Sequence, residues 1–153
     1  MALEIERKFL MKEGDWRKAE GIRYRQGYLC RGSNRVVRVR LEGARGCLTV
    51  KGSTQGLVRT EYEYEIPADE AVAMLETLCE KPLIEKTRYK IEYRGLLWEV
   101  DEFWGENQGL VIAEVELDSE DQPFSKPEWL GEEVTGDVRY YSANLVQHPF
   151  SKW

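Results

Sequence analysis

In segment after segment of this chain, every second position carries a full charge and the positions between are apolar or aromatic. Glu4, Glu6 and Lys8 fall on one parity, with Ile5 and Phe9 on the other. Arg38 and Arg40 alternate with Val37, Val39 and Leu41, and Lys51 follows Val50. Glu61, Glu63 and Glu65 alternate with Tyr62, Tyr64 and Ile66. Lys86, Arg88 and Lys90 alternate with Thr87, Tyr89 and Ile91. Glu99 and Asp101 alternate with Trp98 and Val100, and Glu114, Glu116 and Asp118 with Ala113, Val115 and Leu117. Successive side chains of a strand point to opposite faces, so each charged set projects one way.

A solvated sheet face also alternates, but such faces mix both signs with Ser, Thr and Gln. Here whole strands carry one sign, although like charges on neighbouring sites of a sheet repel. Blocks of each sign suit a polyphosphate and a metal ion. Magnesium takes carboxylate oxygens and bridges them to phosphate, while Lys and Arg engage phosphate oxygens from the opposite wall. An interior shared by these charges has to be wet, because each ion costs several kcal/mol to bury unpaired. The expectation is an open, water-filled tunnel, with the apolar parity outward and covered by helices. Val37, Val39, Tyr62 and Tyr64 should then lie outside the lumen.

Period-two alternation predicts strands at Leu3–Leu10, Tyr24–Arg31, Arg35–Glu42, Cys47–Lys51, Val58–Ile66, Glu85–Tyr93, Leu97–Phe103 and Leu110–Asp118. Gly43 to Gly46 and Arg94-Gly95 read as hairpin turns. Ala68–Glu80 reads as a helix: Pro67 precedes it, Asp69 and Glu70 sit in its first turn, and Val72, Leu75, Leu78 and Cys79 recur at helical spacing. A short helix is expected near Asp15–Ala19 and a C-terminal one over Asp137–Val146, with loop and short turns across 119–136. Trp98, Trp104 and Trp129 read as core, with a dimer contact as the alternative.

The 153 residues allow one domain, 1–153, with a sizeable core. A net charge of −6 argues against a nucleic-acid partner. No segment has the length of a membrane span, and the opening Met1 to Lys8 lacks the apolar run of a signal peptide, so the cytoplasm is the expected location. Three widely spaced cysteines, Cys30, Cys47 and Cys79, read as reduced and structural. The single histidine, His148, excludes the usual imidazole-rich zinc sets. A metal here would be held by carboxylates, which favours Mg2+ or Mn2+.

The same residues resemble the CYTH superfamily, the triphosphate tunnel metalloenzymes. Glu4-Ile5-Glu6-Arg7-Lys8 is similar to the family's opening Glu-x-Glu-x-Lys. Arg38-Val39-Arg40 resembles its Arg-x-Arg strand, Thr49-Val50-Lys51 its Thr-x-Lys, and Glu61-Tyr62-Glu63 its middle Glu-x-Glu. Lys86-Thr87-Arg88, Asp101, Glu114-Val115-Glu116 and Gly131 to Thr135 follow in the family's order. The resemblance covers residues 3 to about 145.

It implies a mainly β, α+β fold: a closed eight-stranded antiparallel barrel with a few helices on its outside. By resemblance, Lys8, Arg38, Arg40, Lys51, Lys86 and Arg88 bind a triphosphate. Glu4, Glu6, Glu61, Glu63, Asp101, Glu114 and Glu116 hold one or two divalent ions and position water. Lys86 stabilises the leaving or bridging oxygen. Tyr28 falls where small bacterial members carry a tyrosine near the reacting phosphate, or it is a core tyrosine. Arg139 reads as surface, and Glu65, Lys90, Glu99 and Asp118 as solvated barrel ends.

The implied function is metal-dependent hydrolysis of inorganic triphosphate, a small-molecule substrate, by a monomer or homodimer with no nucleic-acid or membrane partner. The alternatives are a nucleoside or thiamine triphosphatase, an adenylyl cyclase, and a non-catalytic polyphosphate binder.

Overall fold

Alternating charged and apolar residues satisfy a strand only if each parity finds its own environment, and the architecture supplies two. The computed structural model describes residues 3–153; Met1 and Ala2, part of the opening read against a leader, lie outside the described residues. Nine strands and two α-helices form: β1 (Leu3–Met11), β2 (Gly21–Arg31), β3 (Arg35–Glu42), β4 (Arg45–Gln55), β5 (Val58–Ile66), α1 (Ala68–Thr77), β6 (Ile84–Tyr93), β7 (Leu96–Phe103), β8 (Val111–Glu116), β9 (Leu130–Glu133) and α2 (Ser142–Gln147).

The sheet runs β5-β4-β3-β2-β6-β7-β8-β1-β9, and a further pairing of β5 with β1 closes the first eight strands into a barrel. All the pairings are antiparallel. The closing pair is short: Leu3, Glu4 and Ile5 face Thr60, Arg59 and Val58. Beyond it β1 continues along β8, and its other edge is taken by β9 through Phe9 and Met11. This ninth strand replaces part of the loop expected over 119–136. The expected C-terminal helix is also shorter: a 3₁₀ turn spans Val138–Tyr140 and α2 begins only at Ser142.

The outward parity forms the core, as the tunnel expectation requires. On one flank α1 lays Ala71, Leu75 and the following Cys79 against Val39, with Leu41 and Leu48 beside them. The helix comes so close that a Cβ at Gly46 would lie 3.0 Å from the Ala71 Cβ. On the other flank Phe9, Trp98, Val100, Ala113 and Val115 are covered by Trp16, Leu117, Leu130, Phe124 and Trp129. The Trp98 ring meets Phe9 and Trp129 edge-on, each at 5.7 Å. Burial of each such side chain contributes about 1.5–3 kcal/mol. Trp104 is half-buried, its Nε1 donating to Thr87 Oγ1. Tyr62 and Tyr64 lie on the outer face, 40% and 57% exposed, and Val39 is sealed under α1, so none of these lines the lumen.

The inward parity changes character along the barrel. At one end it is apolar: Tyr28, Val36, Ile84, Phe103 and Ile112, with Leu10 beside them, pack with Tyr140, Leu145 and Val146 of the C-terminal segment. Thus α1 covers the flank while α2 covers this end. Further along, the inward positions are the charged ones. No helix among the described residues is long and apolar enough to cross a membrane.

Candidate active site in the barrel interior

Strand register brings the charges together. Arg88 on β6 stands opposite Asp101 on β7. Its Nε donates to Oδ1 and its Nη2 to Oδ2, both at 2.8 Å, and Lys86 Nζ donates to the same Oδ2 at 2.8 Å. All three residues are buried. Burial would raise the Asp101 pKa, but Arg88 and Lys86 outweigh it and hold the carboxyl far below the usual carboxylate range. Burial pulls the Lys86 ammonium down to about 8 against the attraction of Asp101, with Arg88 and Arg40 adding to the fall.

A second group spans β1 and β8, where Lys8 faces Glu114 and Glu6 faces Glu116. Lys8 Nζ lies 2.6 Å from Glu114 and 3.0 Å from Glu6. Burial and the neighbouring Glu114 push Glu6 up to about 7. Burial, then Glu4 and Glu61, raise Glu116 as well. In a third group Lys51 stands between Glu4 and Glu61, 3.2 Å from each. Burial raises Glu4, with Glu61 adding to the rise against the pull of Lys51, while Glu61 is lowered despite its burial by Glu4 and Lys51.

Arg38 differs from the other expected phosphate ligands. Lys8, Arg40, Lys51, Lys86 and Arg88 each have a carboxylate within 4 Å. Among the described residues Arg38 has none: Nη2 donates to Thr49 Oγ1 at 3.2 Å, and the buried Nε has no partner. Burial and the adjacent Arg40 lower its pKa, but a guanidinium stays charged. It is a buried cation with unused capacity for an anion.

Two cavities, about 550 Å³ and about 300 Å³, share Glu4, Glu6, Arg38, Lys51, Arg88 and Glu114, and are the two ends of one passage. The larger end carries Lys8, Arg38, Lys51, Arg59, Lys86 and Arg88 against Glu4, Glu6 and Glu114. It opens between the β2–β3 and β4–β5 turns and residues 135–144. The smaller end is lined by eight carboxylates and six cations. The passage is therefore electrically polarised, cationic at one mouth and acidic at the other.

Each expected site residue has a place in this frame. Tyr28 lines the larger cavity opposite Arg38 while packing in the apolar cluster. Arg40, Glu61, Glu63 and Glu116 line the acidic end. Asp101 lines neither cavity and lies behind Lys86 and Arg88. Glu65, Lys90 and Asp118 are exposed, as read from the sequence, but Glu99 binds Arg88 Nη1 at 3.1 Å. Arg139 is exposed and paired with Asp137.

Sequence reasoning missed two members. Buried Tyr24 lies under the guanidinium groups of Arg40 and Arg88, 5.0 and 4.9 Å from its ring centroid. Glu42 binds Arg40 at 2.9 Å. Both continue the inward parity of their strands, which was the available signal. Glu42, Cys47 and Glu63 bring ligand atoms within 4.8 Å of one another, but Arg40 and Arg45 already compensate Glu42.

Residues 2–150 match the CYTH domain model. The chain belongs to the CYTH family. It is 53% identical over 154 residues to an inorganic triphosphatase of Acetivibrio thermocellus, covering 100% of this chain and 99% of that one. It is 41% identical over 147 residues to an inorganic triphosphatase of Nitrosomonas europaea, covering 94% and 96%. A crystal structure of an inorganic triphosphatase superposes with a TM-score of 0.66 at 38% identity, covering 95% of each chain. Within the CYTH barrel, the raised Glu4, Glu6 and Glu116 mark a wall with more carboxylate than its cations balance. That donor set, all hard oxygens, fits a divalent cation.

Proposed function

We propose that this chain is a divalent-metal-dependent hydrolase that splits inorganic triphosphate into diphosphate and phosphate inside the tunnel. The observation that carries the reading is Arg38, a buried guanidinium in the passage with no carboxylate partner among the described residues, beside the five other expected phosphate ligands. The full-length similarity to two inorganic triphosphatases supports the same substrate.

Glu4, Glu6, Glu61 and Glu116 would hold a cation of the Mg2+ or Mn2+ type, which supplies charge neutralisation at the phosphate oxygens. Glu63 and Glu114 lie next to this set, and Glu114 also fixes the Lys8 ammonium. Lys8, Arg38, Arg40, Lys51 and Arg88 bind the phosphate oxygens and hold the chain in line for attack by water. Lys86, desolvated and fixed by Asp101, offers a proton-bearing group to the bridging oxygen as charge develops there. Tyr28, which lines the larger cavity from β2, would stand near the reacting phosphate. Asp101 serves by position, keeping Lys86 and Arg88 rigid. We take residues 1–153 to work as one cytoplasmic unit, monomer or homodimer, without nucleic-acid or membrane partners.

The test is direct. Purified protein is incubated with Mg2+ or Mn2+ and, in turn, tripolyphosphate, ATP and thiamine triphosphate, and phosphate and cyclic AMP are measured. Phosphate should come fastest from tripolyphosphate. No phosphate from it with either metal would remove the reading.

A further inference from the structure

We infer that Arg59 is a specificity-determining residue that engages the end of the phosphate chain lying at the larger mouth of the passage, and so favours a free terminal phosphate over an esterified one. The inference rests on the triphosphatase reading and extends it to a residue outside the expected ligand set.

Arg59 shares the parity of Glu61 and Glu63 on β5, one step nearer the larger mouth, and lines the larger cavity but not the smaller. Its backbone stands opposite Glu4 at the barrel closure and Thr54 on β4. Its Nε donates to the Gly52 carbonyl at 2.6 Å, which fixes the plane of the guanidinium. Among the described residues no carboxylate lies within 4 Å of it, so its terminal nitrogens have no ion pair. The surrounding mouth is lined by neutral groups, among them Ser33, Ser53, Thr54, Ser142 and Asn144. Arg59 is thus, with Lys8 and Lys86, one of three cations that line the larger end and not the smaller, and of these it alone lies outside the expected ligand set.

The polarity of the passage sets the direction of the substrate. The smaller end sets eight carboxylates against six cations and the larger end three against six, so the chain's uncoordinated end points toward the larger mouth and Arg59. A nucleoside or other organic group, if present, also leaves by the larger mouth, which is the roomier exit. The phosphate beside Arg59 is then a doubly ionisable terminus in inorganic triphosphate, but a singly ionised diester-like group in a nucleotide. A planar guanidinium forks onto two oxygens of a terminal phosphate and gains more from its higher charge. Discrimination of this kind is a difference between two affinities.

The experiment compares wild type, Arg59→Ala and Arg59→Lys. Two quantities are read: kcat and KM for tripolyphosphate, and the inhibition constant of β,γ-imido ATP against tripolyphosphate hydrolysis. Arg59→Ala should raise KM for tripolyphosphate at least tenfold with kcat changed less than threefold, while the inhibition constant moves less than threefold. Arg59→Lys should recover part of the KM loss. Equal changes in both constants, an unchanged KM, or a loss confined to kcat would overturn the inference. A melting temperature within 3 °C of wild type, required of both variants, excludes a folding defect, and Arg59→Gln replaces any variant that fails this criterion. Inactive wild type would instead remove the underlying triphosphatase reading.

Discussion

Arg88 grips Asp101 through two hydrogen bonds of 2.8 Å, one to each carboxylate oxygen, with both side chains buried between β6 and β7. Lys86 takes a further position on the same carboxylate. An aspartate so fully engaged has little left for a metal ion, and its placement outside both cavities agrees.

Asp101→Ala should therefore act first on the fold. Breaking a buried ion pair by removing one partner typically costs about 3–5 kcal/mol, because the remaining charge is left uncompensated. Urea denaturation should show a loss of that size, with metal affinity measured by calorimetry on the still-folded protein changed less than about threefold. A selective collapse of metal binding, with stability intact, would move Asp101 to the metal wall.

Lys86→Ala should lower kcat by at least about a hundredfold if the ammonium acts on charge that develops in the transition state. Tyr28→Phe, which keeps the ring in its apolar cluster, should leave stability within about 0.5 kcal/mol and lower kcat only modestly. Steady-state phosphate release reads both. Full activity in Lys86→Ala would show that the reacting phosphate sits elsewhere in the passage.

Glu116→Ala and Glu6→Gln should each weaken Mn2+ binding by at least about tenfold, since even indirect supports of a metal site carry losses of that order. Titration calorimetry without substrate is the check. Glu65→Ala, on an exposed carboxylate at the barrel rim, should leave Mn2+ affinity unaltered.

The acidic wall also predicts an unusual pH dependence of the metal-free fold. Glu6 is raised to about 7 in the folded protein, above its ordinary value of 4.5, and Glu4 and Glu116 are raised too. Between those values the folded chain binds more protons than the unfolded one, so stability rises as pH falls. Asp101 and Glu114 are shifted downward, and what they contribute is lost only in more acidic solution. With a chelator present, the melting temperature should be higher at pH 5.5 than at pH 7.5. Millimolar Mg2+ should reverse that order, because carboxylates must be ionised to bind it.

The charged half of this architecture was legible because alternation is a local property: Glu61-Tyr62-Glu63 reports a strand with two unlike faces without any knowledge of its neighbours. Which face turns inward was legible only indirectly, from the one-sign blocks. The apolar end was not. Ile84, Phe103 and Ile112 keep the inward parity, but what covers them is a C-terminal segment far along the chain, and no spacing rule announces that contact. The ninth strand, Leu130–Glu133, is four residues long and exists through its pairing with β1 rather than through its own pattern. Glu99 reads as a rim charge because it extends the alternation beyond the motif positions; only the folded barrel shows Arg88 Nη1 reaching it.

The barrel's closing pair has a consequence for how the enzyme would respond to its ion. Among the described residues only Leu3 to Ile5 join β1 to β5, and Glu4, at the middle of that join, is tied to Glu61 by Lys51, 3.2 Å from each. Two ionised carboxylates there repel each other with one ammonium between them, and a shared divalent cation adds to that hold. If the ion sits as proposed, metal capture and completion of the cylinder are one thermodynamic event, and the ion is a rivet of the wall as well as a tool of the chemistry.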